Sequence, residues 1–280
     1  MVGKNSLNSA SDNSAYDDFC GFLETVCGIV LGEKKLYLVN SRLNKLMEDN
    51  DIASLADLVI YLKRNKDSKL YMAVIDAMTT NETSWFRDNY PYDFLAEKLL
   101  PEAYSARKNI RIWSAAASTG QEAYSISIII SEFQKKNTNM MMPVKIMATD
   151  ISNTVLCGAK EGVFDQMTLD RGMSPARINS YFERHENMWK LKDDIKRRIE
   201  FREFNLLGSY TVLGKFDVIF CRNVLIYFST ETKKDILARV ASVLNPRGYL
   251  ILGGSESMAN YSDRFDIVRV NGGLVYQLKE

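Results

Sequence analysis

Histidine is almost missing from this chain. Among 280 residues there is one, His185, in the polar run ERHEN, where a surface position is expected. That scarcity excludes a Ser-His or Cys-His nucleophilic pair and a histidine-rich metal site. Long apolar runs are also lacking: nothing approaches the roughly 20 residues a membrane-spanning helix needs. Met1–Tyr16 is polar, so neither a signal peptide nor direct membrane insertion is expected. The four cysteines, Cys20, Cys27, Cys157 and Cys221, show no metal-ligand spacing and read as buried free thiols of a reducing compartment. Neither sign of charge dominates. With 36 basic and 35 acidic side chains the net charge is +1, which argues against a general nucleic-acid footprint. What remains, 46% hydrophobic and 25% charged, is an ordinary globular composition, long enough for one large core and a smaller one.

Along the chain, GKNSLNSASDNS reads as a solvated tail over residues 1–13, and the next seventy or so residues read as helices. Tyr16, Phe19, Phe22, Leu23 and Val26 form a helical stripe. Ser54 opens SLADLVIYLKRN as an N-cap with Asp57 three residues on, and Ser68 caps KLYMAVIDAM. Pro91 suits the first turn of YPYDFLAEKLLP, and Pro101 follows its last apolar positions. No strand alternation precedes Ile110, so a small all-α domain is expected at 14–85.

From residue 110 strands alternate with helices. NIRIWSAAAS, VKIMATD, KFDVIFC and YLILGG read as buried strands, and FDIVRV-NG-GLVYQLK as a hairpin with an Asn-Gly turn. Between them lie helical runs beginning at Ser118, Ser152 and Ser229, the second ending at Gly162 and the third at Gly248. This order implies an α/β domain over 86–280: a Rossmann-like parallel sheet covered by helices, with an antiparallel edge hairpin. A capped helix, SPARINSYF, and strand-like runs at Met188–Leu191 and Ile199–Phe204 suggest a small β insert at about 163–204.

Ligands of such sheets bind beyond the carboxyl ends of the strands. The first loop there, SAAASTGQE, lacks the G-x-G-x-x-G that a dinucleotide pyrophosphate requires. A sulfonium nucleoside such as S-adenosylmethionine carries no phosphate and tolerates alanines at this turn. Asp150 ends the second strand, where it either caps the next helix or accepts the two hydroxyls of an adenosyl ribose. Arg222 and Asn223 in FCRNVLIYF either cap the sheet edge or serve the site. Leu206 in FNLLG is either core or a platform for an adenine face.

Taken together, TTNETSWFRD, SAAASTGQEAYS, ATDIS, FNLL and FCRNVLIYF, in this order and spacing, resemble the CheR family of chemoreceptor glutamate methyltransferases. The resemblance covers about residues 15–280. It departs at Ala115–Ala117, where many members carry a Gly-Cys-Ser-like run, and at Gln121 and Ala123, which replace a frequent Glu and Pro. It implies a SAM-dependent methyltransferase whose TTNETSWFRD segment folds over the cofactor. By position it implies cofactor contacts from Asn81, Thr83, Arg87, Glu122, Asp150, Asn205, Leu206, Arg222 and Asn223, with Asp150 on the ribose. It also places Arg87 and Tyr227 at the reacting centre as catalytic residues, leaving Trp85 and Phe86 as packing.

The implied reaction moves a methyl group from S-adenosylmethionine to glutamate side chains of chemoreceptors, leaving S-adenosylhomocysteine. A carboxylate with a pKa near ~4.3 is already ionised at neutral pH, so no general base is needed and a site poor in histidine is expected. Two other readings stand beside it. A nucleic-acid methylase acting on adenine would carry an Asn/Asp-Pro-Pro-aromatic tetrad after FCRN, and none is present. A non-catalytic SAM-binding scaffold would not need Arg87 and Tyr227. The implied partner is the cytoplasmic helical region of a chemoreceptor, which makes the enzyme cytoplasmic. Lys34, Lys35, Arg42 and Lys45 offer it a basic face, or are simply solvated. The stretch 181–201, without glycine, leads us to expect action independent of a receptor C-terminal pentapeptide.

Overall fold

Two serines do at the first helices what their position in the sequence suggests. Ser54 and Ser68 are extended and accept the backbone N–H of Asp57 and Tyr71, opening helices Leu55–Arg64 and Lys69–Met78. With Asn5–Cys27 and Leu36–Glu48 they make up a helical unit of residues 1–80, joined in the contact pattern by 227–232. The structure, a computed structural model, describes residues 5–32, 34–66, 68–106, 108–137 and 143–280. Of the tail expected at 1–13, residues 1–4 lie outside the described residues, and the first helix already begins at Asn5. The stripe of Tyr16, Phe19, Phe22 and Leu23 is buried, with Phe22 edge-on to Tyr71 at 5.6 Å.

The helical unit corrects two expectations. Arg42 is not free for docking: its Nη1 donates to the carbonyls of Ala77, Met78 and Thr79 at 3.0–3.2 Å. A cation there satisfies orphan carbonyls and the negative end of a helix dipole. Lys34, Lys35 and Lys45 remain at least partly exposed. The thiols are all free, as expected, but Cys157 is exposed and Cys20 half-buried; only Cys27 and Cys221 lie in the interior.

The second unit, residues 81–226 and 233–280, begins with a helix that runs through its proline. Tyr90–Phe94 continues as a π turn, Leu95–Leu99, into Leu100–Ser105, so Pro101 does not end it. Proline has no N–H to donate, and widening the preceding turn removes the clash that would otherwise break the helix.

The strands are β1 (Ile110–Ala115), β2 (Val144–Asp150), β3 (Val163–Phe164), β4 (Phe182–His185), β5 (Met188–Leu191), β6 (Ile199–Glu203), β7 (Phe216–Cys221), β8 (Leu244–Ile251), β9 (Phe265–Val270) and β10 (Gly273–Leu278). Seven of them form one sheet in the order β6-β2-β1-β7-β8-β10-β9. β6, β2, β1, β7 and β8 run parallel, and β10 runs antiparallel between β8 and β9. Near-continuous burial of β1, β2 and β7 is what helices covering both faces produce. Trp113 of β1 sits at the core on one face, stacked on Phe216 at 5.5 Å, with its indole N–H donated to Thr149 Oγ1.

Three boundaries differ from those expected. Ile199–Glu203, expected in the insert, is the edge strand of the main sheet, paired with β2 from Ile146 to Asp150. The insert proper is a three-stranded sheet, β3-β5-β4, with helices Gln166–Asp170 and Pro175–Tyr181. The third helix ends at Val243 rather than Gly248, with Lys215 Nζ donating to the carbonyl of Ser242, and β8 starts at once. Residues 81–85 also fall with the sheet unit rather than with the helices.

Candidate active site

The chain order reverses direction across the sheet between β1 and β7, so the crevice lies beyond Ala115, Asp150 and Cys221. After β1 the backbone turns through Ala116 (φ 59°), Ser118 (φ 51°) and Gly120 (φ 93°) into helix Gln121–Lys136. Gly120 is needed there, because a Cβ would also lie 3.1 Å from Ala159 and Tyr124. The turn is pinned from β2. Ala117 N–H donates to Thr149 O at 2.8 Å and Ser118 N–H to Asp150 Oδ2 at 2.8 Å. Asp150 Oδ1 takes the N–H of Ser152 at 3.0 Å. Ser118 also donates its hydroxyl to Asn81 O at 3.0 Å, which ties the start of the TTNETSWFRD segment to this turn.

The other end of that segment is held by a buried charge cluster. Arg222, just past β7, donates from Nη1 to Glu122 Oε2 at 2.9 Å. Its Nη2 donates to Asp88 Oδ2 at 2.7 Å and to Arg87 O at 2.6 Å. Glu122 is completed by the Ser114 hydroxyl at 2.7 Å. Burial works against the Arg222 charge, yet Glu122 and Asp88 beside it hold its pKa above the ordinary value. Two phenols close by stay protonated at neutral pH: burial pushes Tyr90 up to about 12 and raises Tyr92 further. Among the described residues, no group of three or more His, Cys, Asp or Glu side chains could hold a metal ion.

Between its two ends the segment lies on the insert. Trp85 is 1% exposed, as a packing role requires, and is edge-on to Phe164 and Phe182 at 5.0 and 5.5 Å. Its backbone N–H donates to Arg171 O at 3.1 Å, and Gly172 lies against its carbonyl. Phe86 (φ 50°) donates its backbone N–H to Ser125 Oγ and carries the Arg177 guanidinium 4.0 Å from its ring centre. Of eleven side-chain-bearing described residues with positive φ, six fall in these turns: Phe86, Asp88, Asn89, Ala116, Ser118 and Asn223. Backbone of this kind persists only where its surroundings over-determine it, and it concentrates at functional sites.

The structure thus gathers Asn81, Arg87, Glu122, Asp150, Arg222 and Asn223 at one edge of the sheet unit, with Thr83 on the same short segment. Arg87 is half-buried, its Nη1 donating to Glu82 O at 3.2 Å. Asn205 uses Oδ1 to accept the N–H of Leu207, and Leu206 is buried. Tyr227 falls with the helical unit, where its carbonyl accepts Val30 N–H at 2.9 Å. Sequence reasoning did not single out Asp88, Ser114, Ser118, Gly172 or Glu256. An acid inside a polar motif and an acid just after a Gly-Gly pair were the signals for Asp88 and Glu256.

A parallel sheet with an inserted antiparallel strand next to its last, an acid ending β2 and a glycine-poor turn after β1 define the class, an S-adenosylmethionine-dependent methyltransferase. Residues 81–273 match the CheR methyltransferase SAM-binding domain, and residues 14–79 the CheR methyltransferase all-alpha domain. The chain belongs to the CheR methyltransferase family. It is 51% identical over 265 residues to the chemotaxis protein methyltransferase of Vibrio parahaemolyticus, spanning 94% of this chain and 96% of that one. With chemotaxis protein methyltransferase Cher2 of Pseudomonas putida it shares 48% over 274 residues, 96% and 100% of the two chains. The magnesium protoporphyrin IX methyltransferase of Synechocystis PCC 6803, solved with bound SAM, aligns over 87% of this chain and 96% of that one. Its 16% identity and TM-score of 0.38 are too low to bear on the site.

Proposed function

We propose that this enzyme methylates glutamate side chains of chemoreceptors during bacterial chemotaxis, acting in the cytoplasm on the receptor's helical region. The observation that carries the reading is the fastening of residues 81–88, which bear Arg87, at both ends to the carboxyl edge of the sheet. Bound S-adenosylmethionine supplies an electrophilic methyl group. The chain's own work is to align a carboxylate oxygen with it and to exclude water. Asp150 holds the ribose, with Asn81, Thr83, Asn205, Leu206 and Asn223 contacting the rest of the cofactor. Arg87 meets both cofactor and substrate carboxylate through its planar fork. Glu122 and Arg222, each already paired, serve the cofactor as much by holding the segment as by touching it. A carboxylate nucleophile needs no base, which suits a site whose nearby phenols do not ionise near neutrality. Purified protein given radiolabelled S-adenosylmethionine and chemoreceptor-bearing membranes should place base-labile methyl groups on the receptor. Label in nucleic acid, or no label, would sink the reading.

Two variants examine the catalytic pair. Arg87→Ala should lower kcat/KM by about 100-fold or more, because one change removes an aligning contact and a cofactor contact. Tyr227→Phe should bind S-adenosylhomocysteine as the wild type does while kcat falls about tenfold. Unchanged turnover in Tyr227→Phe would remove its hydroxyl from the mechanism.

The receptor is engaged without a C-terminal pentapeptide tether. The β4–β5 connection is a tight, glycine-free turn of Glu186 (φ 54°) and Asn187. A peptide adding to a sheet edge needs close access to backbone, and this short turn offers little of it. Calorimetric titration with a receptor C-terminal pentapeptide should show no heat of binding. A micromolar dissociation constant would overturn this view.

A further inference from the structure

The turn after β8, residues 252–258, belongs to none of the motifs, yet it touches two of them. Glu256 directs its carboxylate at backbone. Oε2 accepts the N–H of Asn223 at 2.6 Å and of Gly253 at 2.9 Å, and Oε1 accepts that of Ile226 at 3.3 Å. Three N–H groups converging on one half-buried carboxylate form a charge-assisted cluster that a neutral amide cannot reproduce. Asn223 stands at φ 57°, a conformation uncommon for side-chain-bearing residues that asparagine tolerates better than most, and the Glu256 carboxylate on its N–H holds it there. Its amide lies over Gly253, where a Cβ would come within 2.7 Å of Asn223 Nδ2 and 2.9 Å of Glu256 Oε2. The neighbouring Gly254 N–H donates to Asp88 Oδ2 at 3.3 Å, the oxygen that also receives Arg222.

We infer that Glu256 is a positioning residue for methyl transfer: it locks the 222–226 turn in the one conformation that presents Asn223 to the cofactor. This rests on the reading of Asn223 and Asp150 as cofactor contacts. The Glu256 carboxylate takes its hydrogen bonds from backbone N–H groups of this turn, so it acts on cofactor affinity through Asn223 rather than on the receptor. A general prop for the fold would weaken everything together. A positioning residue splits the parameters.

The test uses the full chain, with S-adenosylhomocysteine as calorimetric probe and receptor methylation as the kinetic readout. Wild type should bind the probe and Asp150→Ala should bind it much less, which checks the site itself. Glu256→Gln should then weaken probe binding and raise the KM for S-adenosylmethionine, each about tenfold, with the KM for receptor unchanged within about twofold. Amide hydrogen exchange at Asn223, Ile226 and Gly253 should quicken selectively. Gly253→Ala keeps the charge of the carboxylate but crowds both it and the Asn223 amide, and should weaken probe binding in the same direction. It decides the matter if Glu256→Gln does not fold. Wild-type affinity in both variants would overturn the proposal. So would an equal rise in the receptor KM accompanied by a general loss of thermal stability. If Asp150→Ala binds the probe like wild type, the site reading fails and takes this proposal with it.

Discussion

Replacing Arg222 by methionine should destabilise the protein toward urea by about 3–5 kcal/mol and abolish S-adenosylhomocysteine binding, the penalty being the charge left unpaired rather than the packing lost. The Arg222 side chain is 2% exposed and Glu122 only 11%, so Glu122 would be left with the Ser114 hydroxyl and little water in place of the guanidinium. Such a loss is a large part of a stability that for most domains is only about 5–15 kcal/mol. Arg222→Lys should fall between, since one ammonium cannot reach Glu122, Asp88 and the Arg87 carbonyl together. The discriminating measurement is a double-mutant cycle. Glu122→Gln with Arg222→Met should cost clearly less than the two single losses added, because the unpaired carboxylate disappears. Strict additivity would mean the two side chains do not act as a pair.

Gly172→Ala is expected to be as damaging from a position outside the proposed cofactor and substrate contacts. Gly172 has φ 113°, and a Cβ there would fall 2.1 Å from the backbone carbonyl oxygen of Trp85 and 3.0 Å from its carbon. No rotamer change relieves a clash with backbone, so residues 84–86 must move away from the Arg171 turn. The strained φ costs about 1–3 kcal/mol, and the forced packing shift about as much again. Because Trp85 and Phe86 carry Arg87 behind them, kcat/KM should fall by at least about 100-fold. Thermal melting and methylation kinetics of the same preparation check both halves. A variant with wild-type stability and turnover would show that the insert does not seat the segment.

The regular elements of the sheet unit were legible because burial imposes a period that hydrophobic residues display locally. Ile110–Ala115, Val144–Asp150 and Phe216–Cys221 are short apolar runs bounded by polar turns, and each is a parallel strand. Caps were legible for the same reason, since Ser54, Ser68 and Gly162 act on neighbours three or four residues away. What escaped depended on partners distant in the chain. Ile199–Glu203 reads equally well as part of the insert, and only pairing with β2, far back in the chain, makes it the sheet edge. Arg42 looked like surface charge until its guanidinium met carbonyls 35 to 37 residues away. Pro101 looked like a stop because nothing local announces the π turn that accommodates it.

The site divides along the same line. The family was readable from the order and spacing of its motifs, and Asp150 and Arg222 drew notice as polar residues at strand ends, whereas Asp88 and Glu256 did not. The arrangement of these residues was not readable. Phe86, Ala116 and Ser118 have side chains that disfavour positive φ, and Asp88, Asn89 and Asn223 only tolerate it, so local preference alone does not predict these turns. Those turns exist because Ser125, Asp150, Arg222 and Glu256 reach them from elsewhere in the chain. The sequence by itself determined which chemistry the protein carries and the strands from whose ends it projects. Only the tertiary structure decided which backbone amides and carbonyls hold that chemistry still, because hydrogen bonds between segments far apart in the chain leave no periodic trace in either one.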